Sequence, residues 1–238
     1  MSTYLSATRH PWSSLLFLTP LLAAYEGGVM WLGTGHENQI RNGADAWLRW
    51  GLDLFGVGQV LAAPVVVILV MLIWSWWRWS DRPEDPVTTF FGMAFESCLF
   101  ACVLWQFSRN YVTICDLLGI KLQITIQVAP MARILTFVGA GIYEEVLFRL
   151  GLFVGLLLVL RVVGLPFLLA LLLAAFSGAV MFAAAHHIGP YGEPIRADYF
   201  VFRTVAGLFF TVLFVARGFG IAVGAHAGYD ILVGLTVA

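Results

Sequence analysis

The block Pro166–Ala185, PFLLALLLAAFSGAVMFAAA, runs for 20 residues without a charged side chain. A helix needs about 20 predominantly apolar residues to cross the hydrocarbon core of a bilayer. Backbone in that core must satisfy its own hydrogen bonds, so only helices and closed barrels can span it. This block is too long and too continuously apolar for a barrel strand. The rest of the chain agrees. Of its 238 residues, 61% are hydrophobic and 11% charged, with a mean hydropathy of +0.89, whereas an ordinary soluble domain carries about 25% charged residues. The expected fold class is all-α: a polytopic transmembrane bundle of about eight helices, forming a single integral membrane domain over residues 1–238.

The apolar stretches place these helices at roughly Trp12–Leu32, Val57–Trp77, Val87–Phe107, Met131–Phe148, Leu150–Val163, Pro166–His186, Tyr199–Ala216 and Phe219–Val237. An amphipathic stretch, Ala44–Leu54, is expected at the membrane interface. The segment WSWWRWSDRPEDP combines an aromatic belt with a polar, proline-marked loop, as at a membrane surface. Arg78 and Arg82 in that loop point to the cytoplasmic side. With eight helices, both termini are then cytoplasmic, in the cell (inner) membrane. Arg9 followed by LLFLTPLLAA resembles a signal peptide, but the apolar stretch continues to Leu32, so a retained first helix is expected. Cys98, Cys102 and Cys115 show no metal or redox spacing and are read as packing residues. The formal net charge is -1 and no basic run occurs, so no nucleic-acid partner is expected.

Against this background the ionisable residues stand out. Charges inside spanning segments are costly, face a bundle interior or a wet cavity, and are functional candidates by default. In GIYEEVLFRLGLF, Glu145 and Arg149 are four apart and share one helix face in the favourable order. Glu144 is turned about 100° away. Glu145 is therefore expected to pair with Arg149 and hold local structure, leaving Glu144 free for acid–base chemistry. In FAAAHHIGP, Phe182 and His186 are four apart at a helix end, and His187, pointing elsewhere, reads as an interfacial residue. In HAGYD, His226 and Asp230 share one face of the last helix, where they are either a buried hydrogen-bonded pair or part of a site. Opposite them Gly220, Gly224 and Gly228 form a row of small residues that lets helices approach closely. Glu26, Glu96 and Arg203 also fall in apolar helices and are expected in structural salt bridges.

EEVLFR, FAAAH and HAGYD fit E-E-x-x-x-R, F-x-x-x-H and H-x-x-x-N/D. In order and spacing they resemble the CAAX protease and bacteriocin-processing (CPBP, or Abi) family of glutamic intramembrane proteases. The resemblance covers roughly residues 129–238 as a catalytic core. Residues 1–128 carry no motif of the family and read as additional membrane helices. The resemblance implies an endopeptidase that needs no cofactor and cuts a peptide or protein substrate at the lipid bilayer. Carried over by position, Glu144 activates water with the help of His186. Glu145 and Arg149 are the supporting pair, Phe182 shapes the pocket, and His226 with Asp230 stabilises the oxyanion. An ionised Asp230 cannot donate to an oxyanion, so it acts either as a neutral acid or by orienting His226. The expected substrate is a prenylated, leader-bearing or membrane-anchored peptide or protein.

Three other readings remain. Glu144, His186 and His226 are ligand types for zinc, which would make the chain a metalloprotease, although no H-E-x-x-H occurs. A non-enzymatic immunity protein binds a peptide through the same cavity. A proton-coupled transporter also uses buried Glu and His, but no repeated halves are visible.

Overall fold

The computed structural model describes residues 3–32, 41–117, 131–189 and 192–236. In chain order the helices are α1 (Tyr4–Thr8), α2 (Pro11–Leu32), α3 (Gly43–Asp53), α4 (Ala62–Trp77), α5 (Pro86–Leu117), α6 (Met131–Glu145), α7 (Val154–Val162), α8 (Phe167–Ala185), α9 (Ala197–Arg217) and α10 (Phe219–Thr236). A 3-10 turn, Trp79–Asp81, follows α4, and a π-helical segment, Val146–Phe153, joins α6 to α7. No strand occurs among the described residues. Four helices are long and apolar enough to cross a membrane: α2, α5, α8 and α9. Helices α4 and α10 are apolar but shorter.

Local sequence sets the helix ends. Pro11 and Pro86 open α2 and α5, and Pro166 immediately precedes α8, positions where a missing N–H costs nothing. The Asn42 side chain accepts from the Asp45 backbone N–H at 2.7 Å and caps α3. Asp85 accepts from the Thr88 backbone N–H at the start of α5, and hydrogen bonding from Thr88 holds its carboxyl below the usual range. Three boundaries differ from expectation. Helix α4 starts at Ala62 instead of Val57: Val57 belongs to the turn that closes α3, its N–H donating to the Leu52 carbonyl at 3.1 Å with Gly56 at φ 76°. Helix α5 continues past Phe107 to Leu117. The expected break near residue 149 is absent. VLFRLGLF contains no proline, and the helix passes through it by widening, with the Val154 N–H reaching back five residues to the Arg149 carbonyl.

Helix α10 is the axis of the bundle, packed against α2, α5, α6 and α9. Its glycine row makes this possible. Gly220 meets Ser14 and Met93, Gly224 meets Phe17 and Ser97, and Gly228 meets Ala101. On its other face Ala222 and His226 are buried. Helix α6 comes closest of all: a Cβ on Gly141 would lie 2.6 Å from the Ala227 backbone nitrogen. Backbone cannot yield as a side chain can. Gly141→Ala is therefore expected to push α6 off α10 and to lower stability by about 1–3 kcal/mol, read as a fall in the thermal midpoint of the purified protein.

The first half of the chain wraps this axis. Leu18, Leu22 and Tyr25 of α2, Val67 and Met71 of α4, Ile142 and Tyr143 of α6 and Val223 of α10 form one buried cluster. The amphipathic α3 docks on α4 and α6. Trp76 and Trp77, 80% and 79% exposed, carry the expected aromatic belt. Cys98 and Cys102, expected as packing residues, are free and exposed on the outside of α5. The outward half of α5 is otherwise Phe91, Phe95, Leu99 and Val103, and the thiols simply continue that apolar face. The side chain of Cys115 lies outside the described ones.

Each of the three extra intramembrane charges is paired, though not with one another. Glu26 meets Arg41 at 3.2 Å and Arg49 at 3.0 Å. Glu96 meets Arg217 at 2.7 Å, and Arg203 meets Glu193 at 2.9 Å.

Candidate active site

Helices α6, α8 with its C-cap, and α10, together with the π-helical segment after α6, bring all seven singled-out residues together. The close approach at Gly141 sets the register: one turn further along α6, Glu144 and Glu145 lie beside His226 of α10. Their two environments differ. Glu145 is fully buried; its Oε1 is committed, whereas its Oε2 has no hydrogen-bond partner. It accepts from His226 Nδ1 at 2.7 Å, and Arg149 Nη1 stands 2.9 Å from the same Oε1, off the line of a good hydrogen bond. Arg149, also buried, donates from Nη2 to the Gly207 carbonyl at 3.1 Å. Its guanidinium carbon lies 4.8 Å from the Phe182 ring centre and 5.4 Å from that of Phe210, within cation–π range.

Glu144 is not committed. Its Oε2 is buried without a hydrogen-bond partner. Two imidazole nitrogens face that oxygen, His226 Nε2 at 3.7 Å and His186 Nε2 at 3.8 Å. Asp230 Oδ2 lies 3.7 Å from the same His226 Nε2. These separations are too long for direct hydrogen bonds.

The two histidines are held differently, and the difference sets what each can do. His186 caps α8, and its Nδ1 lies 2.8 Å from the Phe182 carbonyl. A carbonyl only accepts, so Nδ1 carries the proton, and Nε2 of the neutral ring offers a lone pair toward Glu144. His226 Nδ1 donates to the Glu145 carboxylate, which turns Nε2 toward Glu144 and Asp230. The His226 ring also stacks on Phe210, 4.3 Å between centres and 13° between planes. Phe182 packs edge-on against His186 at 4.9 Å and against His226 at 6.0 Å. His187 stays out of the cluster; its Nδ1 donates to the Glu193 carbonyl and its ring stacks on Phe200.

A cleft reaches Glu144 and His186 from outside. Gly43, Ala44 and Trp47 of α3 form one wall, with Phe148 of the π segment and Ile188 and Glu193 after α8 forming the rest. Sequence reading missed Phe210 and Gly207, which cradle His226 and Arg149, and missed α3 as a wall of the cleft. The spacing of an aromatic and a glycine in GLFF carries no signal of that kind, because neither is ionisable. Among the described residues, no group of three or more His, Cys, Asp or Glu side chains has a metal-holding arrangement.

With four span-length apolar helices and a buried carboxylate faced by two imidazoles, the chain belongs to the class of polytopic helical membrane proteins that hold an ionisable cluster inside the bundle. Residues 126–232 match the family model of the Rce1-like proteins, described as type II CAAX prenyl endopeptidase Rce1-like. That is the group the three motifs resemble, and the matched region contains all seven site residues. The match supports a membrane protease, a hydrolase of peptide bonds. No curated protein and no solved structure matches the chain. With its four span-length apolar helices, the protein is an integral membrane protein.

Proposed function

We propose that the protein is a glutamic-type intramembrane endopeptidase in which Glu144 activates the water that attacks the peptide bond. The observation that carries this reading is the buried, unpartnered Oε2 of Glu144, faced by two imidazole nitrogens at 3.7 and 3.8 Å. Groups at such separations can share one water oxygen. Glu144 takes a proton from that water, and His186 Nε2 accepts its other hydrogen and orients it. The oxygen adds to the substrate carbonyl. His226 Nε2–H then donates to the oxyanion as charge develops. Asp230 holds the cationic His226 ring or, as a neutral acid, donates beside it. The tetrahedral intermediate collapses as the proton held by Glu144 passes to the leaving amine. Glu145, Arg149 and Phe182 touch none of the reacting atoms in this scheme; they position His226 and His186. The substrate is a peptide or protein held at the membrane, such as a prenylated, leader-bearing or anchored chain, and the loop with Arg78 and Arg82 faces the cytoplasm of the cell membrane.

Comparing native-host cells that express the wild type or Glu144→Gln, with new protein termini mapped by mass spectrometry, tests the reading. Termini found only with the wild type are expected, and they name the substrate. Their absence at equal membrane levels of the two proteins points to binding or transport instead. A chelator is expected to leave the purified enzyme active. Loss of activity that zinc restores would make it a metalloprotease.

A further inference from the structure

The stretch from Arg41 to Asp53 lies far outside the matched region 126–232, yet it borders Glu144. We propose that α3 is a working wall of the active site and that Trp47 sets which side chain is accepted beside the scissile bond. The inference rests on the protease reading above.

Three observations support it. First, α3 is fixed in place by a buried cluster of charges. Arg41 bridges Glu26 at 3.2 Å and Asp45 at 2.7 Å, and Arg49 bridges Asp45 at 2.6 Å and Glu26 at 3.0 Å. Two acids and two arginines cancel in charge. Removing one member strands another in the interior, so the cluster holds as a unit. Second, this cluster is bonded to the residue next to Glu144. The Tyr143 hydroxyl donates to Glu26 Oε1 at 2.5 Å, and the Tyr25 hydroxyl donates to Asp45 Oδ2 at 2.9 Å. The position of α3 relative to Glu144 is thus set by hydrogen bonds, not by loose apolar contact with lipid. Third, α3 turns a particular side chain to the cleft. Trp47 lines it opposite His186, and a Cβ at Gly189, in the loop after α8, would lie 3.6 Å from Trp47 Nε1. The indole therefore spans from α3 to the loop that follows His186. Trp50 of the same helix, 67% exposed, stays on the outside.

The wall has a definite chemistry. Trp47, Phe148 and Ile188 are large and apolar, whereas Gly43, Ala44 and Ala185 leave room between them. Glu193, the charge at the rim, is compensated by Arg203 at 2.9 Å. Such a recess takes a bulky uncharged side chain, and a few polar groups fix the backbone beside it. An extended substrate whose carbonyl reaches Glu144 and His186 lays an adjacent side chain against the Trp47 indole.

The test uses a library of membrane-anchored reporter proteins whose segment next to the anchor is randomised. It is co-expressed with the full-length wild type, Trp47→Ala, Trp47→Phe or Glu144→Gln, and the cut sites are sequenced. Wild-type cuts that depend on Glu144 are expected to favour a large apolar residue at one fixed position. Trp47→Ala is expected to lower that preference about tenfold or more at that position alone, with Trp47→Phe retaining most of it. A residue that only supports the fold would slow every cut alike. Equal loss at all sites, or an unchanged profile in both variants, overturns the role of Trp47 and leaves the protease reading standing. If Trp47→Ala does not accumulate, Trp47→Leu takes its place, and a profile identical to the wild type at every position overturns the role as well. No Glu144-dependent cut with the wild type overturns the protease reading, and the inference falls with it.

Discussion

Glu144→Gln is expected to lower kcat by about 10²–10⁴-fold, the range for loss of a positioned general base, while the thermal midpoint stays unchanged or rises. The second half of that expectation is the sharper one. A buried carboxylate normally anchors a fold, and its removal strands a partner. The buried Oε2 of Glu144 has no such partner, its nearest nitrogens being 3.7 and 3.8 Å away, and Arg149 is taken by Glu145. Burying an unpaired polar group costs stability, so the isosteric amide removes a penalty and breaks no bond. A site kept at the expense of stability is the mark of a functional residue. Turnover measured on the purified protein, with its unfolding curve recorded alongside, decides the matter. A clear drop in the midpoint would show that Glu144 supports the fold.

Arg149→Met is expected to do the reverse, acting first on the fold. Arg149 is 1% exposed, and it ties Glu145 of α6, the Gly207 carbonyl of α9 and the faces of Phe182 and Phe210 into one knot. Taking it away leaves the Glu145 carboxylate buried with His226 alone. Breaking a buried pair from one side costs about 3–5 kcal/mol, enough to remove much of a domain's net stability. The yield of folded protein and its midpoint in detergent are the readouts. The double variant Glu145→Gln, Arg149→Met strands no charge and is expected to be less destabilised than the sum of the two single variants. It still loses activity, because His226 Nδ1 then faces a neutral amide in place of the carboxylate it donates to, and a neutral acceptor holds the ring less firmly. Simple additivity in stability would show that the pair is not coupled.

How much of this was legible in the sequence depends on the kind of force involved. Helices that bury nothing but apolar groups announce themselves by length, as Pro166–Ala185 does against the observed Phe167–Ala185. The pairing of Glu145 with Arg149 was legible because both lie in one stretch at helical spacing. The convergence on Glu144 of His186 and His226 was reached only through the family resemblance, since spacing within a helix says nothing about neighbours on another. The unbroken run from α6 through the π segment to α7 was expected as two helices; a locally widened helix leaves no proline or polar break in the sequence to mark it, and Arg149 finds its partners inside. The role of α3 was invisible for a related reason. Its amphipathic pattern suggests a helix lying on lipid, and only the fold shows that Arg49, paired with Asp45 of its own helix, also meets Glu26 of α2.

The bond between Tyr143 and Glu26 crosses the boundary between the motif-bearing half of the chain and the half without motifs. Ile142 and Tyr143, the residues that lead into the glutamates, are fully buried against α2, and the glycine row of α10 is seated on α2 and α5. The motif-bearing segment is therefore no transplantable cassette. Spliced onto a different set of leading helices, it would keep every one of its motif residues and lose the support that aligns them. The early helices are as much a part of the site's architecture as the glutamates they hold in place.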